Sequence, residues 1–287
     1  MGKGPSWHPM PTIFMSHLVR FSALALIFNV GISVSAQEAV PFVFGETRTL
    51  RSVILEQERT INVYLPVGYS RDSTMTYPVI YVLDGSANED FPHTAGLAQF
   101  MNMYQLLPPS IVVGIANVDR YHDFSHVTRN DSDRARLPTA GGSGPFIEFI
   151  ARELQPFVDH HYKSSGVRTI TGQSLGALLC TQILFERPEL FDNYVIVSPS
   201  LWWDNGSLVA KADEWLKTNG ALPKKIYLSI GAEPEEMQHG MDLLVAAFTA
   251  HARPPLQWIY VPFHGETHAT VLHRSVYRAF EWLTTGK

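Results

Sequence analysis

Cysteine and clustered positive charge are both scarce in this chain, and each shortage excludes a class of function. Cys180 is the only cysteine among 287 residues, so neither an intramolecular disulfide nor a C-x-x-C redox or metal motif can form. Basic residues number 22 against 27 acidic ones, which gives a formal net charge of -5, and they form no run. Nucleic acid, whose phosphates are bound by clustered Lys and Arg, is therefore not an expected partner.

Phosphate-binding glycine loops and zinc-binding helices are also missing. Neither G-x-G-x-x-G nor G-x-x-x-x-G-K-[ST] occurs, so nucleotide binding has no anchor. Residues 264–268 read HGETH, but the glutamate is displaced from its place in the zinc motif H-E-x-x-H. Residues 159–161 (DHH) are expected at a solvated helix end, and Cys180 is expected to be a small core residue. The sequence predicts no metal and no cofactor.

A long apolar run directly after a basic residue is confined to the first 36 residues. Arg20 precedes FSALALIFNVGISV, and small residues continue to Ala36. This order is typical of a secretory signal peptide that is cleaved after Ala36. The alternative is an uncleaved membrane anchor, although the run is short for a bilayer span. We therefore expect a signal peptide at 1–36, one domain at 37–287, a periplasmic or secreted location, and no stable membrane insertion after cleavage.

Strand and helix patterns alternate along the rest of the chain. Residues 47–66 alternate polar and apolar side chains on both sides of Gln57, which predicts two antiparallel strands. Near-continuous apolar runs typical of strands covered on both faces then follow, namely YPVIYVLDG, SIVVGIAN, RTITG, NYVIVSPS, KKIYLSIG and LQWIYVPF. Helical patterns lie between them, at about 93–107, 144–160, 175–186, 207–218, 236–251 and 269–284. The prediction is an α/β fold: a mostly parallel, doubly wound sheet of about eight strands, with an antiparallel pair at the start.

Two polar residues interrupt an apolar stretch at 172–176, which reads GQSLG. This pentapeptide fits G-x-S-x-G directly after a strand pattern and directly before a helical one. In such a nucleophile elbow the serine lies on a strained turn, and small residues on either side let the strand and helix approach closely. Ser174 is therefore the candidate nucleophile. The alternative is an ordinary helix start with Ser174 as its cap.

A serine nucleophile needs a histidine base and an acid that orients it. His264 and His268 both follow the final strand pattern, and His268 is favoured because it comes just before the terminal helix. The acid should follow KKIYLSI, where Glu233 is nearest to the strand end and Glu235 and Glu236 are alternatives. In a doubly wound sheet these positions meet at the carboxyl edge of the strands. The polar stretch 117–143 is expected to be an irregular loop over this edge.

Acyl transfer also requires donors to an oxyanion. The backbone N–H of Leu175 is one candidate, and the backbone N–H of Ser86 after the third strand is the other, with Gly85 allowing the turn. Trp202 and Trp203 follow the strand pattern NYVIVSPS. They either line a pocket for an aryl substrate or pack in the core, and both readings remain open.

Five ordered motifs resemble the esterase D-like branch of the α/β-hydrolases, closest to a subgroup similar to bacterial siderophore trilactone esterases. The motifs are YVLDG at 81–85, IVVGI at 111–115, GQSLG at 172–176, SPSLWW at 198–203 and GETH at 265–268. The resemblance extends from about Phe42 to Trp282. It implies the α/β-hydrolase fold and serine chemistry. It also implies the following roles: nucleophile Ser174, base His268, acid Glu233, and oxyanion donors Ser86 and Leu175.

The chain departs from that subgroup at a few positions. Gln173 and Ala177 stand where relatives often carry His and a second Gly, and the loop at 120–127 reads RYHDFSHV. The sequence thus predicts a serine esterase that cleaves a small-molecule ester of aryl or siderophore type through an acyl-enzyme. An acyltransferase using the same acyl-enzyme and a non-catalytic ligand-binding relative are the alternatives. No oligomeric state is predicted.

Overall fold

The computed structural model describes residues 38–286, and the predicted signal peptide lies outside them. The chain divides into two units after Phe42. Of the first unit only residues 38–42 are described, and they are exposed and belong to no helix or strand. The second unit contains all the elements that follow.

Eight strands form one sheet in the order β1-β2-β4-β3-β5-β6-β7-β8. The strands are β1 (Glu46–Arg51), β2 (Glu58–Tyr64), β3 (Tyr77–Val82), β4 (Ile111–Ile115), β5 (Ser164–Gln173), β6 (Asn193–Val197), β7 (Lys225–Ala232) and β8 (Gln257–Thr267). Strand β2 pairs antiparallel with both β1 and β4, and the remaining pairings are parallel. The predicted fold class, number of strands and antiparallel start are confirmed.

Ten α-helices accompany the strands in the described part of the chain. They are α1 (Asp90–Met103), α2 (Arg120–Phe124), α3 (Asp131–Arg136), α4 (Ser143–Phe149), α5 (Gln155–His161), α6 (Leu175–Glu186), α7 (Trp203–Gly206), α8 (Ala212–Asn219), α9 (Glu235–His251) and α10 (Val271–Thr285). The single helix predicted at 144–160 is instead α4, a π-helical turn at Ile150–Leu154, and α5. The hydrophobic pattern predicted the helical stretch but carries no information on this change of winding.

Side chains of alternate strand residues enter two separate apolar layers, as the period of two along a strand requires. Val79 and Tyr81 of β3 belong to the larger layer, which also holds the buried face of α6. Ile80 and Val82 belong to the smaller layer beneath α1 and α10. Each large apolar side chain fully buried in these layers contributes about 1.5–3 kcal/mol. Cys180 is buried in the larger layer, as expected, and burial raises the pKa of its thiol.

The stretch 117–143 differs from its prediction, because it contains the short helices α2 and α3. Their starts are capped by Asp119 and Asn130, whose side chains accept backbone N–H groups of the first turn, and such caps stabilise short helices by about 1 kcal/mol. The stretch is also anchored to the sheet, since Asp123 of α2 lies 2.8 Å from the guanidinium of Arg59 of β2 and both side chains are buried. This segment is therefore anchored in a defined conformation beside the carboxyl edge of the strands.

Candidate active site

The carboxyl ends of the parallel strands bring polar residues from distant parts of the chain to one edge. Ser174 follows β5, Ser200 lies three residues beyond β6, Glu233 follows β7 and His268 follows β8. Asp84 stands two residues beyond β3. Ligands of doubly wound sheets bind in the crevice outside these strand ends, so this edge is the candidate site.

Ser174 has the strained backbone of a nucleophile elbow, with φ 60° and ψ -119°. A non-glycine residue in such a conformation costs on the order of 1–3 kcal/mol. Gly172 allows it, because a Cβ at that position would lie 2.6 Å from the carbonyl carbon of Gly176. The side chain of Ser174 makes no capping hydrogen bond to α6. The alternative reading of Ser174 as a helix cap therefore does not describe this turn.

Ser200 is the hydrogen-bonding neighbour of the Ser174 side chain. The two Oγ atoms lie 3.3 Å apart, and the Ser200 N–H donates to the Ser174 carbonyl at 3.1 Å. Ser200 itself is buried. Sequence reasoning assigned no role to this residue, although the motif SPS at the end of a strand marked it as a polar group at the right edge.

His268 and Glu233 are joined directly. The Nδ1 atom of His268 lies 2.9 Å from one carboxylate oxygen of Glu233 and 3.0 Å from the other. The Glu233 side chain is 0% exposed, whereas that of His268 is 42% exposed. An imidazole held at Nδ1 by a buried carboxylate leaves Nε2 available for proton transfer. This contact gives His268 the environment expected of a base oriented by an acid.

The competing candidates lie elsewhere. His264 is exposed and belongs to β8, which extends to Thr267, beyond the predicted end of the strand. Glu235 and Glu236 are exposed in the first turn of α9. Glu236 lies 4.0 Å from the Arg136 guanidinium. None of these three side chains takes part in the His268–Glu233 contact.

The two predicted oxyanion donors differ in their hydrogen bonding. Leu175 is the first residue of α6, and an N–H at that position has no intrahelical acceptor, so it is available to a ligand. The N–H of Ser86 instead donates to Oε2 of Glu89 at 3.2 Å, while the N–H of Glu89 donates to the Ser86 carbonyl at 3.0 Å. This reciprocal pair closes a turn directly before α1. The Ser86 N–H can therefore bind an oxyanion only after the Glu89 carboxylate has released it.

Asp84, and not Gly85, makes the sharp turn after β3. Asp84 has φ 54°, whereas Gly85 is required by packing, because a Cβ there would lie 2.2 Å from the backbone N of Ile115. The Asp84 carboxylate receives both arms of Arg120, at 2.6 and 2.9 Å. This bidentate salt bridge joins the turn after β3 to α2.

Asp90, the first residue of α1, lies next to these charges. Burial, together with the charges of Asp84 and Glu89, raises the pKa of Asp90 to about 7. A helix N-terminus ordinarily favours a negative side chain, but here desolvation and like charges outweigh that effect.

The two tryptophans have different surroundings. Trp203 is 0% exposed, and its indole N–H donates to the His126 carbonyl at 2.9 Å. Trp203 is therefore a core residue, so of the two readings left open by the sequence the structure supports core packing for Trp203 and not a place in the substrate pocket. Trp202 is half-buried, with the Arg136 guanidinium 4.4 Å from its ring centroid. Trp202 also lines a cavity of about 350 Å³ that includes Glu236 and His239.

Two kinds of feature are absent from residues 38–286. No group of three or more His, Cys, Asp or Glu side chains is arranged there to hold a metal ion. None of the helices in that range combines the length and the apolar character needed to cross a bilayer.

Comparison with known proteins supports the fold and the esterase class. The family model described as "Putative esterase" matches residues 52–268. The ferri-bacillibactin esterase BesA of Bacillus subtilis is 26% identical over 251 residues, covering 79% of this chain and 85% of BesA. An IroE-like serine hydrolase from Shewanella oneidensis superposes with a TM-score of 0.76 at 28% identity, over 84% of this chain and 80% of that structure. The BES protein from Bacillus cereus gives 0.75 at 27% identity, over 87% and 99%.

The sheet order, the helices on both faces and the strained serine define an α/β-hydrolase-type esterase. The chain belongs to the "Putative esterase" family, and it is a carboxylic ester hydrolase.

Proposed function

We propose that this protein is a serine esterase that uses Ser174, His268 and Glu233. The observation that carries the proposal is the contact between His268 Nδ1 and both oxygens of the buried Glu233 carboxylate, at the same sheet edge as the strained Ser174. In this mechanism Ser174 Oγ attacks the ester carbonyl while His268 Nε2 takes its proton. Glu233 holds the imidazole and stabilises the imidazolium. His268 then protonates the leaving alcohol, and water releases the acyl group.

The oxyanion of each tetrahedral intermediate requires preorganised donors. The Leu175 N–H is available for this role in the described geometry. The Ser86 N–H acts as the second donor in this proposal, once the Glu89 carboxylate has moved away from it. The carboxylate is expected to move because its negative charge is repelled by the developing oxyanion.

The proposal is tested by Ser174→Ala with p-nitrophenyl butyrate as substrate. Turnover should fall by roughly three orders of magnitude or more, and labelling by a fluorophosphonate probe should disappear. The matched control is Ser165→Ala, which removes an exposed hydroxyl at the other end of the same strand and should leave both measurements unchanged. Turnover that survives in Ser174→Ala would refute the nucleophile assignment.

We propose an aryl or siderophore-type ester as the physiological substrate. The relative BesA is named a ferri-bacillibactin esterase, and that name supports a siderophore ester here. Trp202 supports an aryl group, because it offers half-buried aromatic surface two residues along the chain from Ser200, the neighbour of Ser174. Stacked aromatic pairs contribute about 0.5–1.5 kcal/mol beyond area burial.

Trp202→Ala tests this substrate class. The KM for an aryl ester such as phenyl benzoate should rise about 3–10-fold more than the KM for an acetate ester, as that stacking energy implies. Trp215→Ala, which removes a ring packed against Phe185, is the control and should leave the ratio of the two KM values constant. An equal effect of Trp202→Ala on both esters would contradict a role in substrate binding.

We also propose that residues 1–36 direct export and are then removed. The support is the order of Arg20, the apolar run and the small residues up to Ala36.

A further inference from the structure

Gln173, the residue before the proposed nucleophile, has a backbone fixed on both sides. It is the last residue of β5 and is in register with Val197 of β6. The next N–H, that of Ser174, donates to the Val197 carbonyl at 3.1 Å. The backbone of Gln173, from which its side chain extends, is therefore held in a fixed position relative to Ser174.

The side-chain amide of Gln173 reaches across to the turn that carries His268. Its Nε2 donates to the backbone carbonyl oxygen of His268. That turn follows β8, which lies at the edge of the sheet and, among the strands of residues 38–286, pairs with β7 alone. Two hydrogen bonds between Thr267 and Thr270 close the turn locally. The Thr267 N–H donates to Thr270 Oγ1 at 3.0 Å, and the Thr270 N–H donates to the Thr267 carbonyl at 3.0 Å. Gln173 thus links the histidine turn to the centre of the sheet.

The backbone of Gln173 is supported from the opposite side as well. Its carbonyl accepts from Nη2 of Arg120 at 3.4 Å, and Arg120 is itself paired with Asp84. A continuous chain of hydrogen bonds therefore runs from the β3 turn through α2 and the elbow to His268.

We propose that Gln173 is a positioning residue for His268, an inference that rests on the proposed role of His268 as the base. Glu233 fixes the imidazole ring at Nδ1, but a ring held only there can still pivot when its backbone moves. Gln173 fixes the backbone carbonyl of the same residue. With both ends held, His268 Nε2 keeps its distance to Ser174 Oγ, and a displacement of about 1 Å in such a geometry costs roughly 100-fold in rate.

Three substitutions of Gln173 should change the rate and its pH dependence in distinguishable ways. Gln173→Leu removes the donor and should lower kcat for p-nitrophenyl butyrate about tenfold with little change in KM. The acidic limb of the measured kcat/KM profile should move to lower pH, because a loosened His268 is held less closely against Glu233. Gln173→Glu should also lower kcat, but its added negative charge near His268 should move that limb to higher pH. Gln173→His, which restores an N–H donor, should recover most of kcat.

Gln155→Leu is the matched control. Gln155 makes the same type of bond, from Nε2 to the Leu190 carbonyl at 3.0 Å, in α5. Its loss should lower Tm and leave the pH profile of the folded enzyme unchanged. Fluorophosphonate titration of active sites normalises every rate to the folded fraction.

The outcomes separate this inference from the proposed function. Wild-type kcat and pH profile in Gln173→Leu would overturn the positioning role, even if Ser174→Ala is inactive. A loss in Gln173→Leu that titration attributes wholly to fewer folded sites would also overturn it. Full turnover in Ser174→Ala would instead refute the proposed function, whatever Gln173 does.

Discussion

Ser174 and Ser200 form a pair of hydroxyl groups at the centre of the site. Their Oγ atoms lie 3.3 Å apart, which is longer than the usual 2.7–2.8 Å between hydroxyls. This bond is therefore weak enough to be exchanged when Ser174 turns toward a base. Its position gives Ser200 the means to hold Ser174, the proposed nucleophile, in one rotamer between turnovers.

Ser200→Ala should lower kcat about 2–10-fold, because a neutral hydrogen bond contributes about 0.5–1.5 kcal/mol. Steady-state kinetics with p-nitrophenyl butyrate measure the change. Ser229→Ala is the control, since Ser229 and Ser275 form another buried hydroxyl pair, 3.0 Å apart, outside the site. An unchanged kcat in Ser200→Ala would mean that the contact has no part in positioning Ser174.

At the scale of elements, α1 begins among three carboxyl groups, those of Asp84, Glu89 and Asp90. Arg120 neutralises the first of them, and Glu89 occupies the Ser86 N–H. In the described structure the Asp90 carboxyl neither pairs with a basic side chain nor accepts a backbone N–H. Burial and the charges of its two acidic neighbours raise the pKa of Asp90 to about 7. The start of α1 therefore carries an electrostatic cost that depends on pH.

Asp90→Asn should stabilise the protein above neutral pH. A carboxyl with a raised folded-state pKa binds its proton more tightly in the folded state, so wild-type stability decreases as pH rises from about 4 to about 7. The neutral amide does not have this penalty. Tm should rise by about 2–4 °C per kcal/mol recovered at pH 8, and the gain should vanish near pH 4. Asp72→Asn, at an exposed carboxyl, should show no such pH dependence; an identical Tm gain at both pH values would argue against the electrostatic cause.

At the scale of the whole molecule, the single sheet brings residues that follow strands β3 to β8 to one edge. The proposed export signal at residues 1–36 is tested on the full chain. N-terminal sequencing of the protein expressed as the full chain in bacteria should find Gln37 as the first residue, in the periplasmic or medium fraction. Ala36→Trp should slow this processing, because the cleavage site requires small residues. A membrane-bound product that retains residues 1–36 would favour the anchor alternative.

Much of the fold and of the site followed from local patterns. The apolar runs predicted the sheet because strands covered on both faces are apolar throughout, and G-x-S-x-G singled out Ser174 because its glycines permit a close strand-to-helix approach. The helices in 117–143 were missed, since their stability comes from caps and from the buried Arg59–Asp123 pair. Trp203 could not be separated from Trp202, because adjacent tryptophans look alike until packing buries one of them.

The sequence by itself determined the fold class, the order of the candidate residues and the strand-to-helix turn that holds Ser174, because periodicity and small-residue spacing act over short range. Only the tertiary structure decided which glutamate meets His268, that Glu89 holds the Ser86 N–H, and that Gln173 reaches the His268 carbonyl. Those contacts join residues at the ends of different strands or depend on how a turn folds back. Their distances arise from sheet order and packing, which no local pattern encodes.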